Sequence, residues 1–187
     1  MSRADQSHRR RKNPLAAVFR AVGIILLIVI IAICVPLIVP KTMGYQLYTV
    51  VSGSMEPAVP TGSLVYIKYV EPGDIETGDI IAFYYNNKVL IKRVIGLPGE
   101  WVNIDGSGNV YINGELLDEP YITDRALGDC SITLPYQVPD GRYFVLGDHR
   151  STSRDSRSTL VGPVSEEQIM GRVTLRIWPL NRIGFLQ

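Results

Sequence analysis

The hydrophobic pattern of the chain changes character once, near residue 40. Residues 21–39, AVGIILLIVIIAICVPLIV, carry no charged side chain over 19 positions, close to the ~20 residues an α-helix needs to cross ~30 Å of hydrocarbon. This predicts one transmembrane helix, with Pro36 near its far end, where a kink or a terminus is tolerated. From Tyr45 onward the texture becomes short runs rich in β-branched and aromatic residues, at 45–51, 63–70, 79–85, 88–95, 109–112, 143–147 and 172–178. Turn formers such as Pro72-Gly73-Asp74, Asp105-Gly106 and Asn113-Gly114 bound them, so each run is expected as a strand. Outside the apolar segment no helical period is sustained, although Ser165-Glu166-Glu167-Gln168 can open a short helical turn. The expected fold class is mainly β: an antiparallel, sandwich- or barrel-like β-sheet domain preceded by one N-terminal transmembrane helix. Hairpin signals and Gly/Pro punctuation at about 99–142 predict a smaller β insertion lobe attached to the main sheet.

Composition sharpens this picture. The chain has 187 residues, 46% of them hydrophobic and 20% charged, with a mean hydropathy of +0.12. These fractions exclude a disordered chain, and the length excludes a long repeat array or a large multidomain enzyme. Charge divides where hydropathy does: residues 1–40 carry +5 and residues 41–187 carry −4. Basic residues flank the cytoplasmic side of a membrane span, so residues 1–20 are expected in the cytoplasm, 21–39 in the bilayer and 41–187 outside the cell. The run HRRRK (8–12) is read as a topology or lipid-binding signal rather than a nucleic-acid site, because it adjoins the span. A cleaved signal peptide would have an apolar region of only ~7–15 residues, and no convincing small-x-small cleavage site precedes Lys41, so the anchor is expected to be retained. Cys34 lies in the span and Cys130 outside it, which leaves no pair to bridge and no metal pattern.

Three segments carry candidate chemistry. Ser52-Gly53-Ser54-Met55-Glu56-Pro57 follows a strand and holds a serine in a turn that exposes its hydroxyl, although Ser and Gly in turns are most often structural. Leu90-Ile91-Lys92-Arg93-Val94-Ile95-Gly96 places a lysine inside an apolar strand, where burial lowers an ammonium's pKa and a snorkelling side chain is the ordinary alternative. Alternation puts Lys92 with Leu90 and Val94, and Arg93 with Ile91 and Ile95, without saying which face is the site. Of the two cations only the lysine can lose its proton, so Lys92 is the only possible base of the pair. The third segment, Gly147-Asp148-His149-Arg150-Ser151-Thr152-Ser153-Arg154-Asp155-Ser156-Arg157, is either a solvated loop or a hydrogen-bonded support around a site.

Together with TGDIIAF (77–83), IKRVIGLPGE (91–100), VYINGELLDEPYI (110–122) and the closing RIWPLNRIG, these segments resemble bacterial type I signal peptidases, the membrane-anchored serine proteases that remove signal peptides from exported proteins. The blocks follow the family's order over nearly the whole chain. The resemblance implies Ser54 as nucleophile and Lys92 as general base. It implies Ser52 as the hydroxyl donor that completes the oxyanion hole with the Ser54 backbone N–H, Ser153 as the serine that orients the lysine, and Asp155 with Arg157 as a supporting ion pair. Val50, Val51, Met55 and Ile91 fall where the family lines shallow pockets for small substrate residues. His149, Ser151 and Thr152 depart from the common GDNRDNSxDSR form, which puts any charge role at 151 in doubt. The implied partners are secretory preproteins and the lipid bilayer, with no nucleic acid, no obligate protein partner, no cofactor and no metal.

The chemistry this implies is specific. Neutral Lys92 takes the Ser54 proton as the oxygen attacks the scissile carbonyl and returns it to the departing amine; water then hydrolyses the acyl-enzyme. A lysine near 10.4 has to fall by roughly 2–3 pH units to supply enough base. From Pro40 to Ser54 the chain spans at most about 50 Å, so the nucleophile works near the membrane surface, where a small-x-small cleavage site emerges. Three rival readings remain open on sequence: a Ser-His-Asp protease, which would have to use His149; a membrane-tethered binding domain or inactive relative; and a self-cleaving repressor protease, which the anchor fits poorly.

Overall fold

The computed structural model describes residues 14–186. The chain divides into two units, Met1–Met43 and Gly44–Gln187. In the first, helix α1 spans Pro14–Thr42. It begins earlier than the apolar run because proline suits a first helical turn, its fixed φ being helical and its missing N–H one that no intrahelical partner would have taken. At 29 residues it is about 44 Å long. Its side chains at 18–32 are exposed, Phe19, Ile24, Leu27 and Ile30 among them. Among the described residues no helix is long and apolar enough to cross a membrane; in α1 the uninterrupted stretch with described side chains is 18–32. The basic run at 8–12 lies outside the described residues.

The second unit is antiparallel β. Its strands are β1 (Tyr45–Thr49), β2 (Leu64–Lys68), β3 (Ile80–Tyr85), β4 (Lys88–Gly96), β5 (Trp101–Ile104), β6 (Val110–Ile112), β7 (Glu115–Leu116), β8 (Tyr136–Gln137), β9 (Arg142–Leu146), β10 (Val164–Ser165), β11 (Ile169–Trp178) and β12 (Gly184–Phe185). One sheet runs β1-β2-β11-β3-β4-β9-β10, with β12 added to β11; β7-β6-β5-β8 form a second. All seven strand runs expected from sequence contain strands. The reading missed β5 and the two-residue strands, which are too short to show a period. Gln168 closes a short 3-10 turn, Glu166–Gln168, where the helical turn was expected.

Turn chemistry sets the hairpins. Asn86 and Asn87 both take positive φ between β3 and β4, and Asn113-Gly114 does the same between β6 and β7; this is the backbone a two-residue hairpin needs to match strand twist. The interior has three apolar clusters. One, around Val59, Val65, Ile67 and Val173, packs beneath β1, β2 and β11. Another, around Ile81, Phe83, Val94 and Val145, lies where β3, β4 and β9 meet. The third joins the sheets, with Ile95, Phe144 and Leu146 of the first against Val102, Ile104 and Val110 of the second.

Strand β4 is central for its chemistry. It pairs with β3 from Lys88 to Arg93, and with β9 only from Arg93 onward. The stretch Lys88–Lys92 therefore presents an edge with no strand beside it. End strand β1 pairs only with β2 and leads directly into the serine-containing turn.

Candidate active site

That turn is a single 3-10 turn, Gly53–Met55, capped by Ser52, whose side chain accepts from the Ser54 N–H at 3.4 Å. A cis Glu56–Pro57 bond follows. Met55 is fully buried against Val50 and Val59, so apolar packing on the far side of the turn holds the Ser54 hydroxyl outward. The hydroxyl meets the lysine of β4: Lys92 Nζ donates to Ser54 Oγ at 2.6 Å, joining residues 38 apart in sequence.

Lys92 is 3% exposed. Burial lowers its pKa from 10.5 to about 8; Asp155 and Asp148 push it back up, and Arg157 pushes it further down. At pH 7 a lysine with that value is neutral in roughly a tenth of molecules, against roughly three in ten thousand for an ordinary lysine. Sequence alternation left Lys92 and Arg93 equally placed. Both turn out to be buried, on opposite faces of β4. Arg93 grips Asp148 through Nε and Nη2 at 2.9 and 2.8 Å, donates to the Gly78 carbonyl and lies 3.8 Å over the Tyr121 ring.

The polar loop after β9 is largely a buried scaffold, with Ser151, Thr152 and Arg154 exposed along it. Asp155 accepts from Arg157 Nε and Nη2, both at 2.8 Å, and from the Gly147 N–H at 3.0 Å. Burial alone would raise the Asp155 carboxyl; the Arg157 guanidinium and the Gly147 N–H outweigh it and hold the pKa below the usual carboxylate range. Arg157 also donates to the carbonyls of Leu127 and Arg150. The loop grips the Ser54 backbone directly, since the His149 N–H donates to the Ser54 carbonyl at 3.1 Å. Ser153 is buried in this loop, and its hydroxyl also helps hold the Asp155 carboxyl down.

The fit around Gly147 is tight enough to test. A Cβ there would fall 2.5 Å from the Ser54 carbonyl oxygen and closer still to Ser153 Oγ. Gly147→Ala is expected to cut kcat by about 100-fold, because an ångström-scale shift of a reacting group costs that much, while overpacking lowers stability by about 1–3 kcal/mol. Peptide cleavage and urea denaturation measured together check this. An active, fully stable variant would show that the loop does not set the position of Ser54.

A cleft of about 710 Å³ opens over Ser54 and Lys92. Val50, Val51, Ser52, Met55 and Ile91 line it too. Val51 is 85% exposed, whereas Val50 and Met55 are buried and shape the wall from behind. Ser153, Asp155 and Arg157 do not line it and form the layer beneath.

Sequence reasoning missed several supports. Glu119 and Arg150 form a buried ion pair, and Tyr121 donates to Glu119. Asp124 accepts from the N–H and hydroxyl of Ser151, with His149 Nε2 at 3.6 Å. The chain thus supplies a carboxylate to the neighbourhood of Ser151 from a segment 27 residues upstream. The only local signal for these supports was charge embedded in apolar or turn-bounded sequence, as at Arg93.

A family model described as "Signal peptidase, peptidase S26" matches residues 19–178. Signal peptidase IB of Staphylococcus aureus (strain MRSA252) is 35% identical over 157 residues, covering 74% of this chain and 80% of that protein. A probable signal peptidase I-2 of Synechocystis sp. is 38% identical over 145 residues, covering 72% and 64% respectively. A crystal structure of a signal peptidase I from Enterococcus faecalis V583 is similar at 35% identity and a TM-score of 0.47, covering 54% of this chain and 97% of that one. With the family match spanning most of its length and relatives sharing more than a third of aligned positions, this chain belongs to the peptidase S26 family of signal peptidases and is a hydrolase of the signal peptidase I type.

Proposed function

We propose that this protein is a membrane-anchored serine endopeptidase that removes N-terminal signal peptides from secretory preproteins with a Ser54–Lys92 dyad, cutting after small-x-small sequences. The observation that carries this reading is the 2.6 Å contact between a buried, pKa-lowered lysine and the hydroxyl of a serine at the head of a cleft. In its neutral form the Lys92 amine accepts the Ser54 proton across that contact while Oγ attacks the substrate carbonyl. The same proton then passes to the leaving amine, and the base activates the water that hydrolyses the ester. This chemistry calls for no metal or cofactor.

Ser52 and the Ser54 N–H are the proposed oxyanion donors. In the free enzyme Ser52 Oγ accepts from that N–H at 3.4 Å, a long bond by ordinary standards. Ser52 is exposed, so its hydroxyl is free to turn toward substrate. Ser153 fits the orienting role because its buried hydroxyl lies against Gly147, as the Ser54 carbonyl does, and so sits close beneath the dyad. Asp155 and Arg157 hold the loop that carries Ser153 and grips Ser54. The unpaired edge of β4 and the end of β1 offer backbone groups to an extended peptide, with Val50, Val51, Met55 and Ile91 shaping pockets for its small side chains. On this reading residues 1–20 are cytoplasmic, 21–39 span the bilayer, and 41–187, with an insertion lobe at about 99–142, face outward as the peptidase domain. The His149 alternative gains nothing from the geometry: His149 reaches Ser54 through its backbone N–H, and the hydroxyl belongs to Lys92.

The test is a detergent-solubilised full chain and its Ser54→Ala variant, each incubated with a secretory precursor, with the product's new N-terminus sequenced. Cleavage after a small-x-small site by the wild type, and none by the variant, is expected. Equal cleavage by both removes Ser54 from the mechanism.

A further inference from the structure

Resting on the dyad reading, we propose that Lys88 and Arg154 make the cleft selective for peptides that carry a carboxylate within a few residues of the cut and unfavourable to peptides with a cation there. The charged residues lining the cleft are Lys88, Lys92 and Arg154, with no Asp or Glu beside them. Lys88 and Arg154 are both exposed, and neither side chain has a hydrogen bond or ion pair among the described residues. Arginines of the buried or partly buried scaffold are treated differently. Arg93, Arg150, Arg157 and Arg172 are each matched to a carboxylate. Arg125, Arg142 and Arg176 donate instead to an amide or to backbone carbonyls, and the cleft is where unmatched cations lie beside the dyad.

The two cations are aimed by their backbones. Lys88 shares a face of β4 with Leu90 and Lys92 and lies four positions before Lys92, about 13 Å along the strand. It stands on the stretch of β4 that no strand covers. An extended peptide added to that edge rises about 3.3 Å per residue, so its residue about four positions from the scissile bond comes level with Lys88. Arg154 reaches the cleft from the loop after β9, as Thr152 does, while its neighbours Ser153 and Asp155 are buried in the scaffold. Lys92 adds no fixed charge of its own when it acts as a base. Selection by Lys88 and Arg154 therefore acts on binding and orientation of the peptide, not on the proton transfer.

The test uses peptides with one small-x-small core and a single Asp, Asn or Lys walked from two to six positions on either side of the cut, at 20 and 300 mM NaCl. Wild-type kcat/KM is expected to fall in the order Asp, Asn, Lys, with Asp over Lys by about 5-fold or more at low salt and less at high salt, since exposed pairs are modest and screened. Lys88→Glu is expected to reverse the order at about the fourth position from the cut, and Arg154→Glu to reverse it at a different position. The Asn peptide serves as each variant's own reference. Binding of the same peptides to Ser54→Ala, read by fluorescence anisotropy, reports the preference without cleavage. An Asp-to-Lys ratio near one in both assays, or a ratio untouched by both reversals, overturns the proposal. Wild type that cleaves none of the peptides while Ser54→Ala still binds the Asp series more tightly overturns the dyad reading and leaves the charge selection supported.

Discussion

Replacing Lys92 with methionine is expected to abolish peptide hydrolysis and, at neutral pH, to make the protein more stable. The activity loss is the larger effect. Without the amine nothing at 2.6 Å can take the Ser54 proton, and removal of a positioned general base costs up to about 10⁴-fold in kcat. The gain in stability has the same origin as the base strength. Burial lowers the Lys92 pKa to about 8 in the folded chain, against 10.5 ordinarily. Below pH 8 the lysine is charged in both folded and unfolded chains, so the fold carries the whole cost of burying an ammonium, about 3 kcal/mol at this separation of pKa values. Between about 8 and 10.5 the folded chain sheds its proton first and the cost is relieved; by pH 9.5 about 2 kcal/mol is recovered. Wild-type stability should therefore rise with pH across this window through this group, while Lys92→Met lacks the rise and starts higher. Methionine fills similar volume with no charge to desolvate. Urea denaturation of both proteins at pH 7 and 9.5 checks the sign, and wild-type kcat/KM should climb with pH to a midpoint near 8. A variant less stable than wild type at pH 7 would mean that the ammonium is well solvated in the fold and that its proton affinity is set elsewhere.

Asp155→Asn is expected to cause the second large effect, a loss of about 3–5 kcal/mol, because it leaves the Arg157 guanidinium buried without its carboxylate. Its kinetic signature separates it from ordinary destabilisation. The Asp155 charge is the foremost influence holding the Lys92 pKa up against desolvation, so its removal lets that pKa fall further. The rising limb of the pH–rate profile should move to lower pH even as maximal kcat drops with the loosened Gly147 and Ser54 contacts. Thermal unfolding together with the profile of the surviving folded enzyme measures both. A limb that stays in place or moves to higher pH would show that Asp155 does not act on the base.

Much of the site was legible in the primary structure because its reactive groups sit in short local contexts. A serine in a Gly- and Pro-bounded turn and a lysine inside an apolar strand are visible as residues out of place. Seven strands were legible because β-branched runs and turn formers have their own local chemistry. The buried supports were not. Arg93 with Asp148, Arg150 with Glu119 and Ser151 with Asp124 are partners separated by 55, 31 and 27 residues. Nothing in the sequence around an arginine says whether it meets water or a carboxylate, since both outcomes satisfy its donors.

By itself, then, the sequence determined the division into an apolar basic-flanked segment and a β-rich remainder, a serine turn and an in-strand lysine as candidates for chemistry, and the fact that only one member of the Lys92–Arg93 pair can give up a proton. Those follow from composition, period and intrinsic acidity, which each residue carries with it. Tertiary structure decided that Lys92 faces Ser54 and Arg93 faces Asp148, that a loop dense in charge is largely buried, and that β9 stops short of Lys88–Lys92 and leaves an open edge beside the cleft. These depend on strand register and on desolvation, quantities that exist only once distant segments have been packed together.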